Sequence, residues 1–551
     1  MDIKRLLSAL LLSFIFIITW NVFFPPETQQ LKDSSVELPE TSMVVEEKQP
    51  NNKRLHQINI NQSETKIVTP LVEVDLINGA TSINNLQIVE SNKGELKHVG
   101  AWDVDQQRYN RNSPVQIIRG AQCNPCILVD GNPINFIGHH VEKNEECHII
   151  TSVAQENITK QTIVCNDSYT IDHVFQGLQD QNIVLLWDGG LLPSEKNISD
   201  DMMYFSIYAQ HNDTYKEEFL SSTADGDVFE FDEDVGWAGI KSKYFMKAIT
   251  NDNYHQLKAD RIVFNTYTSG IIDGVPLINS NIEYHYSKIK NGQLKVSSYV
   301  GPIDTYHLDS EGSKHLVQLF GFGWFFIGYL GKGIMWLLTS LYKIVPNYGV
   351  VCVLFAFIIR LLTGPLTKKS FLSNQKMQAI QPKLKKIQEK YKDDTGKLNQ
   401  EIMGLYKTEG VNPLGGCLPI LVQMPLLIAL FQVFRKTIEF RGAPFLPFWI
   451  TDLSQPDVVL EIGFLKEIWG LSYFFGHGIA LLPIIMGVVM FLNMKMTTTN
   501  NINPSQTSTM YIMNGFFVLL FNTFPSGLNL YYTVYNILNF IQQKKLQKIV
   551  S

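Results

Sequence analysis

One cation in this chain stands where a cation is expensive. Arg360 lies inside residues 349–367, GVVCVLFAFIIRLLTGPLT, an apolar run of the length a bilayer-spanning helix needs. A guanidinium at mid-bilayer costs roughly 2.5–3.5 kcal/mol on insertion scales, so it should face protein or water rather than lipid. One reading is snorkelling. Lys368 follows eight positions later, roughly 12 Å along a helix, a long reach for the side chain unless the membrane edge lies nearer Gly364-Pro365. The other reading is a side chain turned toward protein or water inside the membrane. Four of the six cysteines form the second candidate set: Cys123, Cys126, Cys147 and Cys165. Cys123-Asn-Pro-Cys126 has redox spacing, but a thioredoxin-type site needs its first cysteine at a helix N-terminus. Here the flanks, Val115-Gln-Ile-Ile and Ile127-Leu-Val, read as strands. Structural disulfides in an oxidising compartment are the expectation for all four. Cys352 and Cys417 fall in apolar segments and read as packing residues.

Other chemistry is hard to assemble. His139-His140, Asp188 and the acidic run 225–234 read as surface or loop residues. An intramembrane hydrolase would need a nucleophile with a base at bilayer depth, and no paired intramembrane His, Lys or Asp is visible. No G-x-x-x-x-G-K-[ST] loop is present for a nucleotide. An anion transporter could use Arg360, but the repeated halves common in transporters are not seen. No metal or cofactor is expected.

The elements that must carry these residues fall into two halves. With 551 residues, 45% hydrophobic and 18% charged, the chain is too long for one compact domain. Lys4 and Arg5 precede an apolar stretch at 6–24 that lacks a small-x-small cleavage site, which reads as an uncleaved signal anchor. Residues 25–57 read as a polar linker. Residues 58–315 alternate in short β-branched and aromatic runs, typified by Ile183-Val-Leu-Leu-Trp, and predict an antiparallel β-sandwich. Residues 316–345 carry Ile327, Leu330, Ile334, Leu337, Leu338 and Leu341 at helical spacing and predict an amphipathic helix in the membrane interface. Residues 368–412 are lysine-rich, with Met377, Ile380, Leu384, Ile387 and Tyr391 forming a seam. They predict a cytoplasmic helical hairpin that opens at Pro382 and turns at Asp393-Asp-Thr-Gly396. Its lysines are either a solvated face or a docking surface, with Lys383, Lys385 and Lys386 the candidates for docking.

Charge fixes the rest. The net charge is −6, but lysines gather in 368–407 and at Lys544, Lys545 and Lys548, while acids gather in the soluble half. No global basic patch for sequence-specific nucleic-acid binding is indicated. The N-terminus, the hairpin and the tail 544–551 should share the cytoplasmic side. That needs an even number of spans, and 6–24, 349–367, 414–434, 479–496, 508–524 and 527–543 give six. An external loop at 435–478 and a cytoplasmic one at 497–507 join them. Phe524-Pro-Ser-Gly527 divides the last two spans.

Several motifs now resemble one family. They are Tyr299-Val-Gly-Pro302, the Arg360 helix ending Gly364-Pro-Leu-Thr367, Gln381-Pro382, Val411-Asn-Pro-Leu-Gly-Gly-Cys-Leu-Pro419 with Gln423-Met-Pro425, and Phe524-Pro-Ser-Gly527 with Tyr531-Tyr532. Together they cover the membrane half and resemble the YidC/Oxa1/Alb3 membrane-protein insertases, in the Gram-negative form with a large periplasmic domain. The resemblance implies a polytopic α-helical protein of the inner membrane, with five helices forming an insertase core and a periplasmic β-supersandwich. It implies a hydrophilic groove in which Arg360 receives acidic groups of incoming chains and Gln423 and Tyr532 line the same region. Asn493 stands where the family often has Gln. Non-enzymatic insertion and chaperoning of nascent membrane proteins is the implied function, with ribosome, Sec translocon and membrane lipids as partners. The region 457–478 is longer than the resemblance accounts for.

Overall fold

The computed structural model describes residues 64–77, 81–92, 94–154, 157–211, 214–220, 224–250, 259–287, 289, 292–304, 307–308, 316, 326–392, 394–411, 418–462, 478–497 and 504–550. The expected anchor at 6–24 and linker at 25–57 lie outside the described residues, as does Cys417. The chain forms two compact units, Asn21–Phe320 and one containing Gly321–Ser551.

The first unit is β-rich. Period-two burial builds its strands: Ile183–Trp187 buries Ile183, Leu185 and Trp187 while the residues between stay half-buried. Five strands form one sheet, in the order Thr65–Val68, Val72–Ile77, Ser82–Ile88, Arg108–Ile118, Val99–Asp103. A nine-stranded sheet runs from Phe136–Lys143 through Gln293–Pro302 to Thr214–Phe219, and a six-stranded sheet centres on Val275–Tyr286. Neighbouring strands in both pair antiparallel, as in Thr159–Cys165 on Thr170–Gln176 and Ala259–Ile272 on Val275–Tyr286. One short helix, α1 (Ile198–Met202), interrupts the strands.

Buried polar groups tie the sheets together. Tyr284 donates its hydroxyl to the Ala238 carbonyl at 2.8 Å, linking the six- and nine-stranded sheets. Lys160 is fully buried and donates to the carbonyls of Thr81 and, at 2.9 Å, Pro125. Burial pushes its ammonium down to about 7. Cys147 and Cys165 sit directly opposite in the ladder and are disulfide-bonded, and Cys123 is bonded to Cys126.

Asp188 corrects the surface reading. His139 and His140 are exposed, but Asp188 is buried and accepts the backbone N–H of Cys123 at 2.9 Å and of Gln122 at 3.3 Å. Burial raises its carboxyl above the usual range, against the pull of those donors and of Lys247. The chain turns at Asp188-Gly-Gly190, and the turn folds inward. Gly190 has φ +56°, and a Cβ there would collide with Asn279.

The second unit is helical. Its elements are α2 (Phe326–Ile344), α3 (Tyr348–Lys390), α4 (Thr395–Thr408), α5 (Leu418–Lys436), α6 (Leu481–Thr497), α7 (Pro504–Phe521) and α8 (Ser526–Val550). Helix α2 buries Ile334 and Leu338 and exposes Tyr329 and Trp336, so it is amphipathic as its spacing predicts. It packs on α5 and on the start of α3, where Tyr342 stacks on Tyr348 at 4.0 Å.

Helix α3 overturns one expectation. The apolar run and the first arm of the hairpin are a single helix of 43 residues, capped by Asn347 and passing through Pro365 and Pro382. Proline within a helix removes one backbone bond, but its fixed φ is helical. Ile380 and Leu384 are buried on either side of Pro382 and hold the helix across it. The turn falls within the expected Asp393-Asp-Thr-Gly396, where Asp394 caps α4 through the Lys397 N–H at 3.0 Å. Among the described residues α3 alone is both long and apolar enough to cross a membrane by length and composition. Leu481–Met496 and Tyr511–Phe521 are shorter apolar stretches.

Candidate functional site

The site is assembled on α8. Its first turn is held by the loop before α6: Ser526 and Gly527 donate their N–H groups to the Gln455 and Leu453 carbonyls at 2.8 and 3.0 Å. Gly527 is needed there, because a Cβ would fall 2.8 Å from the Phe434 ring of α5. From this fixed start α8 presents Tyr532, Tyr535, Asn536 and Gln542 to other helices.

Arg360 is 7% exposed and points at α8. Its Nη1–H donates to Thr367 Oγ1 at 3.2 Å, and its Nη2–H donates to Gln542 Oε1. The Tyr535 ring lies under the guanidinium, 5.5 Å from ring centre to Cζ. The Tyr535 hydroxyl meets Thr363 Oγ1 at 3.2 Å. Thr363 and Thr367 donate to the Ile359 and Thr363 carbonyls at 2.8 and 3.0 Å, which settles both hydroxyls on the α3 backbone around Pro365. Among the described residues every partner of the cation is neutral. Among the described residues no carboxylate reaches ion-pair distance of Arg360, and its Nε–H has no acceptor.

The other expected residues meet α8 elsewhere. Asn493 on α6 is buried and donates to the Asn536 carbonyl at 3.2 Å. Asn536 in turn donates to the Tyr532 carbonyl at 2.8 Å. Gln423 on α5 is half-buried and is the polar neighbour of the buried Tyr532 hydroxyl, which forms no hydrogen bond among the described residues. Thus Gln423 and Asn493 approach one stretch of α8, while Arg360 is clasped at Gln542. Ten residues separate Tyr532 from Gln542, roughly 15 Å of helix. Tyr535 lies between them and joins the two levels.

The hairpin lysines are divided. Lys383 pairs with Glu409 at 2.6 Å, bracing the end of α4 against α3. Lys385 and Lys386 are exposed. Among the described residues no group of three His, Cys, Asp or Glu side chains is placed to hold a metal ion.

Four members of the Arg360 cluster were missed by sequence reasoning: Thr363, Thr367, Tyr535 and Gln542. A signal for two existed. Thr363 and Thr367 follow Arg360 by three and seven positions, on one face of the helix. Tyr535 and Gln542 are seven apart and share a face of α8, but nothing local says which helix that face meets.

A buried arginine on a long apolar helix, clasped by the polar face of a second helix, defines an α-helical membrane protein with an internal polar site. This one carries a separate β-rich unit as well. Residues 340–551 match the family described as 60Kd inner membrane protein, and residues 151–337 match the YidC periplasmic domain. The membrane protein insertase YidC of Prosthecochloris aestuarii is 36% identical over 422 residues, covering 72% of this chain and 67% of that one. That of Chlorobaculum tepidum is 33% identical over 435 residues, covering 74% and 69%. A solved active YidC insertase with its first transmembrane domain resolved aligns over 88% of this chain and 93% of its own, at 19% identity and a TM-score of 0.37. The chain spans about two thirds of the length of the relatives it matches. It belongs to the YidC family of membrane protein insertases. The anion-transporter reading finds no support among these relatives.

Proposed function

We propose that this chain inserts and folds membrane proteins by giving the polar part of an incoming segment a sequence of partners inside the bilayer, without covalent chemistry. The observation that carries the reading is Arg360: a buried cation on an apolar helix whose partners among the described residues are all neutral. A polar tail crossing lipid leaves backbone groups unsatisfied at several kcal/mol each. A cation with an unused donor offers an acidic tail a charge-assisted bond midway. Gln423, Asn493 and Tyr532 supply further polar contacts, and the apolar segment leaves sideways into lipid.

Six spans serve this function best: 6–24, 349–367, 414–434, 479–496, 508–524 and 527–543, the last five forming the core. The lysine distribution supports that layout, since it puts both termini and the hairpin in the cytoplasm. Helix α2 then lies in the outer interface, and the β-rich unit lies in the periplasm of an inner-membrane protein. Lys385 and Lys386, exposed on the hairpin, are the surface for a ribosome delivering a nascent chain, with Lys383 beside them. Cooperation with the Sec translocon belongs to the same reading.

The test is reconstitution. Vesicles carrying the full chain should protect a single-span cargo from external protease well above empty vesicles, and photo-crosslinkers at Tyr532 or Gln423 should capture the cargo. Insertion no better than in empty vesicles, with the protein folded, refutes the reading.

A further inference from the structure

In the resting structure the guanidinium of Arg360 is already engaged by Gln542. Both ends of that amide are tied to α3. The carbonyl oxygen accepts from Arg360 Nη2–H, and the nitrogen donates to the Gly364 carbonyl at 3.2 Å. A glutamine amide presents the outline of a carboxylate without its charge, one acceptor oxygen in place of two. The edge of the guanidinium that binds carboxylates side-on consists of Nε–H and Nη2–H. Here Gln542 takes Nη2–H, and Nε–H is buried without an acceptor among the described residues.

We propose that Gln542 is a stand-in for the acidic group of the cargo, a specificity-determining residue that an incoming carboxylate displaces from Arg360 and a neutral group does not. A carboxylate offers two oxygens to Nε–H and Nη2–H, and bonds charged on both sides are roughly twice as strong as neutral ones. It therefore wins the exchange. A tail amide or hydroxyl repeats the bond already present and gains nothing by replacing it. Between cargoes the amide keeps the buried cation hydrogen-bonded, which limits the desolvation cost of leaving it alone. Thr367 and Tyr535 hold the guanidinium in place during the exchange, since they contact its other edge and its face.

This inference rests on Arg360 being the docking cation, and the experiment separates the two. Full-length Gln542→Glu, Gln542→Met and Arg360→Ala variants are reconstituted in vesicles and given two cargoes that differ only in Asp or Asn at two tail positions. Gln542→Glu supplies a permanent internal carboxylate and should slow acidic-tail insertion about tenfold, leaving the neutral tail within about twofold of the parent protein. Gln542→Met removes the competitor and should keep acidic-tail insertion at or above the parent level. Gln542→Glu without effect on the acidic tail overturns the proposal, as does an equal loss on both cargoes, the mark of a structural strut. So does Gln542→Met slowing the acidic tail as much as Gln542→Glu. If Arg360→Ala affects both cargoes alike, the docking role of Arg360 fails and this proposal falls with it. An acid-selective Arg360→Ala beside an inert Gln542→Glu overturns the stand-in alone.

Discussion

Replacing Arg360 in series is the sharpest perturbation of the insertase reading. A carboxylate about 4 Å from the guanidinium gains about 4 kcal/mol at an effective dielectric of about 20. Most of that is offset by the water the carboxylate gives up. The net of a hydrogen bond between charged groups is about 1.5–3 kcal/mol. At about 1.4 kcal/mol per factor of ten in rate, an acidic-tail cargo should lose between about tenfold and a hundredfold in Arg360→Ala. Arg360→Lys keeps the charge but loses the planar fork that reaches Thr367 and Gln542 together, so an intermediate loss is expected. Arg360→Glu repels the cargo and should be the slowest. The protein's own membrane integration should not suffer in Arg360→Ala, because a charge costing roughly 2.5–3.5 kcal/mol has left the helix. Thr367 Oγ1 and Gln542 Oε1 lose a donor, while the Thr367 hydroxyl and the Gln542 Nε2–H go on donating to the Thr363 and Gly364 carbonyls. The assay is initial insertion rate into vesicles for cargo pairs matched except for tail charge, normalised to chain abundance. Equal losses on acidic and neutral tails would refute electrostatic docking. Arg360 would then act by wetting the site alone.

Three further outcomes are expected. Lys160 in the native β-rich unit titrates at about 7, below its unfolded value of 10.5, so the unfolded state holds more protons between those values and stability rises with pH there. Pulse proteolysis of the full chain should show the stability of the parent protein relative to Lys160→Met rising by about 2 kcal/mol from pH 7 to pH 9; a constant difference refutes the depressed titration. Replacing Cys147 and Cys165 by Ser opens a loop with a sequence separation of 18 and should cost about 3 kcal/mol in the same assay, leaving cargo insertion intact at equal abundance. Lys385→Glu with Lys386→Glu should weaken ribosome binding at low salt, read by co-sedimentation, and the difference should shrink as salt rises. Lys383→Glu is the poorer probe, since it also sets a like charge against Glu409.

Legibility in the sequence followed the range of the forces involved. Strand periodicity depends on neighbours two residues away, so Ile183–Trp187 reads directly as a half-buried strand. Arg360 stands out because its cost comes from the apolar residues on either side of it. Pro382 misled for a related reason: its local signal is a helix start, while the packing of Ile380 and Leu384 is a tertiary fact that overrides it. Asp188 sits in a turn-forming string, and only contacts with Cys123, 65 positions away, show that the turn points inward. Gln542 is 182 positions from Arg360, and no pattern within α8 distinguishes it from the adjacent Gln543.

Helix α8 explains why the polar residues divide into two levels. Near its fixed start the packing is aromatic: Tyr531 is fully buried and meets Phe355 and Tyr532 at 5.5 and 4.9 Å, and Phe521 meets Tyr532 at 5.5 Å. Loop carbonyls from Leu453 and Gln455 cap the same end and satisfy its first two backbone donors, Ser526 and Gly527. One to three turns further on, Tyr535 meets Thr363 and the Arg360 cation, and Gln542 meets Arg360 and the Gly364 carbonyl. At the aromatic end the groups left for a polar tail are side chains, the Tyr532 hydroxyl with Gln423 beside it. The charged partner lies at the Arg360 end, the end of α8 that continues toward Lys544, Lys545 and Lys548. On the function proposed above, a polar tail admitted from the lysine-rich side meets the Arg360 cation first and Tyr532, with Gln423 and Asn493, further along α8.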